Sequence, residues 1–148
     1  MKMVGLYAVL MGGILFAGQS LAQQAPVPVA IRNAKTVFLS NTGRIEFNVG
    51  GGSNRLYVGL YNALQAGGGL TAVSDPGTAD LILEPYFKDL SLQLKIYDSR
   101  THFLLWTLDQ GVKVCNLQKT CDQNLDQAIA NLAIQMKDLP AQTGVTLK

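Results

Sequence analysis

Residues 79–108, ADLILEPYFKDLSLQLKIYDSRTHFLLWTL, constrain the fold more tightly than any other part of the chain. Leu90, Leu92, Leu94 and Ile96 alternate with Ser91, Gln93, Lys95 and Tyr97, the period of a strand with one face in a core and one toward water. A polar loop, Asp98-Ser99-Arg100-Thr101-His102, separates this run from a second apolar run over 103–108, a spacing that predicts an antiparallel hairpin. Ahead of it, Leu81-Ile82-Leu83 is apolar at consecutive positions, which predicts a strand covered on both faces. Glu84-Pro85 follows. Proline donates no ladder hydrogen bond, so the strand is expected to end, bend or run along an edge there.

Upstream, Thr36-Val37-Phe38-Leu39-Ser40 reads as a first strand closed by the turn residues Asn41-Thr42-Gly43. Residues 44–49 alternate and read as a short edge strand or an ordered loop. A helix is predicted over about 54–65, with Ser53 or Asn54 as its cap, Leu56, Leu60, Ala63 and Leu64 on one face, and Gly67-Gly68-Gly69 as its stop. Residues 70–73 form the next strand and Ser74-Asp75-Pro76-Gly77 a turn, so the strand-helix-strand unit calls for parallel pairing. Downstream, Asp109-Gln110-Gly111 predicts a bulge before Val112-Lys113-Val114 resumes the strand. Over 122–139, Leu125, Ile129, Leu132, Met136 and Leu139 fall at helical spacing, with Asp122 and Asp126 at the start, Lys137 at the end and Pro140 as the stop.

The order β-α-β-β-β-β-α predicts an α/β (two-layer α+β) domain, a mixed sheet of about five strands with both helices on one face. The inward set is expected to include Phe38, Leu56, Leu60, Leu64, Leu83, Leu92, Leu94, Leu104, Trp106, Ile129, Leu132 and Met136.

The amino terminus points to export. Met1-Lys2-Met3 is basic, residues 4–17 are almost wholly apolar, and Ser20-Leu21-Ala22 places small residues where a signal peptidase reads them, so cleavage is expected after Ala22. The apolar run is shorter than a membrane span needs, and the following residue is Gln23 rather than a lipid-modifiable Cys. Residues 1–22 are thus a cleaved signal peptide, 23–34 a flexible, proline-containing leader, and 35–148 one domain. That protein is expected in the periplasm or outside the cell, with no stable membrane anchor after cleavage.

Export gives Cys115 and Cys121 a meaning, because in an oxidising compartment an even pair in a small domain is usually a disulfide. Closing so small a ring contributes about 2 kcal/mol. A redox role would suit C-x-x-C spacing, and zinc would need further ligands when the sequence holds a single histidine, His102. Composition excludes a disordered domain, with 48% of residues hydrophobic and 15% charged. A net charge of +2 without a Lys/Arg cluster leaves no footprint in the sequence for nucleic acid or an anionic membrane.

No catalytic constellation emerges, and no cofactor or metal is expected. Gly50-Gly51-Gly52 lacks the rest of a phosphate-binding motif, His102 sits at a hairpin tip, and Asp75, Asp80 and Glu84 are close in sequence without forming an acid–base pattern. Tyr86, Phe87 and Trp106 are expected in the core. A competing reading is a ligand-binding or hydrolytic groove near Tyr86 and Phe87 with Asp80 or Glu84 as its polar group.

The strand TVFLS, the helix RLYVGLYNALQAGG, the strands LTAV and TADLIL, and the hairpin LQLKIYDSRTHFLLW together resemble small envelope domains: the amino-terminal domain of TolB, the CsgG family and LpoB. The resemblance rests mainly on Ala79-Asp80 before a strand and on the D-x-x-T turn from Asp98 to Thr101. It implies an adaptor or assembly part that is not an enzyme and carries over no functional residue. The expected function is an exported, non-catalytic module that recognises another envelope protein, through an exposed sheet edge or the Asp98 to His102 hairpin. Amino-terminal sequencing of the exported protein is expected to begin at Gln23; a chain still beginning at Met1 would refute the signal-peptide assignment.

Overall fold

The computed structural model describes residues 25–42 and 52–142. The elements run α1 (Val29–Asn33), β1 (Thr36–Leu39), α2 (Gly52–Gly67), β2 (Thr71–Ala72), a 3₁₀ turn (Pro76–Thr78), β3 (Leu81–Lys88), β4 (Ser91–Asp98), β5 (Leu104–Gly111), α3 (Gln118–Asp138) and a second 3₁₀ turn (Leu139–Ala141). The strands form one mixed sheet in the order β2-β1-β3-β4-β5. β1 pairs in parallel with β2 and β3, while β3, β4 and β5 form antiparallel pairs. This is the two-layer α/β architecture expected, with α1 added in front.

One face of the sheet makes the core. Val37, Leu39, Leu81, Leu83, Phe87, Leu92, Leu94 and Ile96 point into it, and Leu56, Leu60, Leu64, Leu125, Ile129, Leu132 and Met136 of α2 and α3 meet them. Each fully buried Leu or Ile contributes roughly 1.5–3 kcal/mol relative to exposure. The helices also pack on each other at Gly59, where a Cβ would stand 2.9 Å from Ile129 Cδ1, so a small residue there admits α3. Beside that crossing, Arg55 bonds Asp122 at 2.7 Å and Asp126 at 3.1 Å.

The departures from expectation have local causes. Among the described residues β3 alternates buried and half-buried positions, and it runs straight through Pro85. Ser40 N–H donates to Leu83 O, so the alternation turns the Pro85 nitrogen to the same side, just past the end of β1, where no donor is needed. Leu90 is not inward. It shares with Asp89 a two-residue hairpin turn in which both have positive φ, 60° and 48°. The bulge lies between Ile96 and Tyr97 of β4 and their β5 partners Trp106 and Leu104, and β5 then continues unbroken to Gly111. The extra residue shifts Leu104 to the outer face, and Phe38 likewise lies on the face opposite Val37 and Leu39.

Within the proline-containing stretch expected to be a flexible leader, Val29–Asn33 is helical, with Val27 and Ile31 buried in the core. α2 begins at Gly52, which puts Ser53 and Asn54 inside its first turn, and Gly68 and Gly69 end it with φ of 65° and 95°. α3 begins at Gln118, a turn earlier than expected. Asp122 and Asp126 therefore lie beyond its first turn, where they pair with Arg55 instead of serving the helix dipole. The signal peptide, the Ala22 cleavage site and residues 44–49 lie outside the described residues. Gly59→Leu is expected to lower stability by about 1–3 kcal/mol through overpacking. Combining it with Ile129→Ala should cost less than the two single changes summed, as urea titrations of all three variants would show.

Candidate functional site

The sequence-selected polar groups gather at the end of the sheet where α1 meets the β4–β5 turn. Asp80, just before β3, accepts the amide N–H of Lys35 at 2.8 Å and of Thr36 at 2.9 Å, together with the Thr36 hydroxyl at 3.0 Å. These bonds fasten the start of β1 to the start of β3. The Lys35 and Thr36 amides hold the Asp80 carboxyl below the usual carboxylate range, with a smaller contribution from Arg100, against a burial effect in the opposite direction.

Across the same end, Asp98 Oδ1 accepts from Thr101 N–H at 2.8 Å, Thr101 Oγ1 at 3.0 Å and Arg100 N–H at 3.0 Å. The Thr101 bonds lead in holding its carboxyl low. Here is the physical content of the D-x-x-T turn: one carboxylate oxygen folds the loop, and His102 takes a φ of 57° to complete it. Ser99 Oγ donates to Ala79 O, locking the turn to the Ala79-Asp80 step. Asp80, Asp98, Ser99 and Arg100, together with Val29 and Asn33 of α1, line an open cleft of about 570 Å³.

The other selected residues are not brought together. Glu84 lies on the outer face of β3, where it accepts from Tyr97 Oη at 3.1 Å and Thr42 Oγ1 at 3.1 Å; burial, and then this carboxylate, raise the Tyr97 hydroxyl above its ordinary value. Tyr86 shares that face, with Lys95 Nζ 4.7 Å from its ring centre. Phe87 points the other way and is buried, so Tyr86 and Phe87 do not share a groove. Trp106 packs against the core opposite Ile96. Asp75 takes the Gly77 amide at 2.9 Å in the 3₁₀ turn, the turn role its sequence suggested.

Cys115 and Cys121 stand at disulfide distance, Cα to Cα 5.2 Å, between β5 and the first turn of α3. Among the described residues no group of three or more His, Cys, Asp and Glu is placed to hold a metal ion, and no helix is long and apolar enough to cross a membrane.

The sequence offered a sheet edge or the Asp98 to His102 hairpin as a contact surface; what it missed is the exposure of the apolar residues just beyond that turn. Phe103 is 73% exposed and Leu104 52% exposed, both at the head of β5, whose outer side has no strand partner among the described residues. Their hydrophobicity suggested burial. The turn and the bulge put them outside.

No family model matches the chain, and no curated protein matches it in sequence. Solved structures show a likeness in fold at low identity, of which one superposes with a TM-score above 0.5. A DUF4136 family protein from Bacteroides thetaiotaomicron superposes with a TM-score of 0.52 at 11% identity, over 75% of this chain and 91% of that one. A PelC dodecamer from Paraburkholderia phytofirmans gives 0.49 at 14% identity over 76% and 90%. A neuraminyllactose-binding hemagglutinin homolog from Helicobacter pylori gives 0.43 at 12% identity over 72% and 86%. The superposition on the DUF4136 family protein thus shows a shared fold alone, and a relation to TolB, CsgG or LpoB is not shown.

Asp80→Asn is expected to destabilise the domain by about 1–2 kcal/mol at neutral pH, through weakened charge-assisted hydrogen bonds. Because the folded carboxyl titrates below its ordinary value of 3.8, its stabilisation is complete above that pH and is lost as pH falls through the folded value. The gap between wild type and variant in urea midpoints should therefore close in acid.

Proposed function

We propose that the chain is an exported, non-catalytic binding or assembly module of the bacterial cell envelope, which recognises another envelope protein along β5 and the turn that precedes it. The observation that carries this reading is the outer side of β5. Val112 N–H donates to Leu90 O, and the ladder alternates from there, so Gly111, Asp109 and Thr107 turn their amides away from β4.

Such an edge is a template for an added strand, and natural edges are commonly blunted by lysine or proline. β5 contains neither. Its charged residue, Asp109, is drawn back to Ser91 and Gln93 of β4. Phe103 and Leu104 supply exposed apolar anchors at the head of the strand. The non-catalytic part of the reading is supported by the employment of the carboxylates: Asp75, Asp80 and Asp98 each fold the backbone around them. The Cys115–Cys121 pair fits an oxidising compartment and the leader over 1–22. A groove reading loses its basis with Tyr86 and Phe87 on opposite faces.

A photo-crosslinking residue at Thr107 or Phe103 is expected to capture an envelope protein in intact cells, whereas one at Gln65 on α2 should not. Thr107→Pro, which removes an outward donor and leaves the β4 ladder intact, should abolish the capture from Phe103. Equal capture from all three positions would refute recognition through this edge.

A further inference from the structure

The open side of β5 carries a hydrogen-bond donor and an acceptor that its own domain does not use. Thr107 and Asp109 are both exposed on the outer face of the sheet, opposite Lys95 and Gln93 of β4. Asp109 accepts Ser91 and Gln93 through Oδ2, and among the described residues its Oδ1 accepts no hydrogen bond. The Thr107 hydroxyl makes none either among those residues. Both residues turn their backbone amides away from β4, two positions apart on one face.

A strand that pairs antiparallel with its own copy does so about a two-fold axis, and the ladder admits few registers. Outward amides must meet outward amides, so residues in phase with Thr107 and Asp109 face one another. With Thr107 on the axis, Asp109 would face the aliphatic Leu105. With Asp109 on the axis, two carboxylates would stand directly opposed, which is destabilising. With Leu108 on the axis, Thr107 of each copy faces Asp109 of the other. The two pairs then exchange their backbone hydrogen bonds, each Thr107 hydroxyl lies beside an unused Asp109 oxygen, and the buried Leu108 meets its counterpart on the core face. The edge is complementary to itself in that register.

We infer that the free chain forms a two-fold dimer in which β5 pairs antiparallel with β5 of a second copy, Leu108 on the axis and Thr107 donating to Asp109 across it. The inference rests on the reading of β5 as a contact edge and names a second copy of this chain as a strand that edge accepts. The pairing joins the two sheets into one continuous sheet. A single strand pair is a small interface, so the dimer is reversible and an envelope partner competes with the second copy for the same edge.

The test is sedimentation of the purified exported chain over a dilution series, in which a reversible monomer–dimer equilibrium is expected. Thr107→Val keeps a good strand former and removes the hydroxyl; it should weaken the dimer about ten-fold, because two hydrogen bonds to carboxylates are lost. Thr107→Glu sets a carboxylate against each Asp109 and should weaken the dimer further. Position 107 is exposed, so both variants should keep the thermal midpoint of the diluted, monomeric wild type, which separates a lost contact from a lost fold. A dimer as tight in both variants as in the wild type would overturn the inference. A chain that is monomeric at every concentration, while position 107 still captures an envelope protein in cells, would overturn it and leave the reading of the edge intact.

Discussion

The structure depends on a sheet that, among the described residues, buries one face and half-buries the other. β3 and β4 each place every second side chain into the core, and α2 and α3 close over those side chains. Closure requires the helices to come together as well as onto the sheet, and Gly59 is where that approach is tightest. With the core on one side, polar groups elsewhere are free to shape the ends of the strands.

Those ends are organised differently. At one end, Asp80 and Asp98 take backbone amides that the strands and turn would otherwise leave without partners, and the loop between them is fixed by side chains rather than by packing. At the other, two left-handed residues turn the chain without glycine, and a short cysteine-bracketed loop leads into α3. β5 joins the ends and leaves its outer ladder open among the described residues. In a domain built in this way the ionisable groups hold the shape of the strand ends.

Negative charge is handled consistently. Asp75, Asp80 and Asp98 accept backbone amides, Asp122 and Asp126 accept Arg55, Asp109 accepts Ser91 and Gln93, and Glu84 accepts Tyr97 and Thr42.

Much of this was legible in the residues. The period-two pattern over 90–97 specified β4, the spacing of Leu125, Ile129, Leu132 and Met136 specified α3, and the strand-helix-strand order specified parallel pairing around β1, because periodicity is a local property that burial must respect. What lay beyond it depended on neighbours distant in sequence. Pro85 is tolerated inside a strand because β1 ends beside it, Leu104 faces outward because a bulge shifts its register, and Ile31 is buried because α1 folds back onto the core. The turn carboxylates were visible as residue types, but their donors, Lys35 and Thr36 for Asp80, come from another strand. Sequence determined which segments extend or coil and which faces are apolar; tertiary structure decided which edge stays unpaired and which charges meet, since both depend on contacts between residues far apart in the chain.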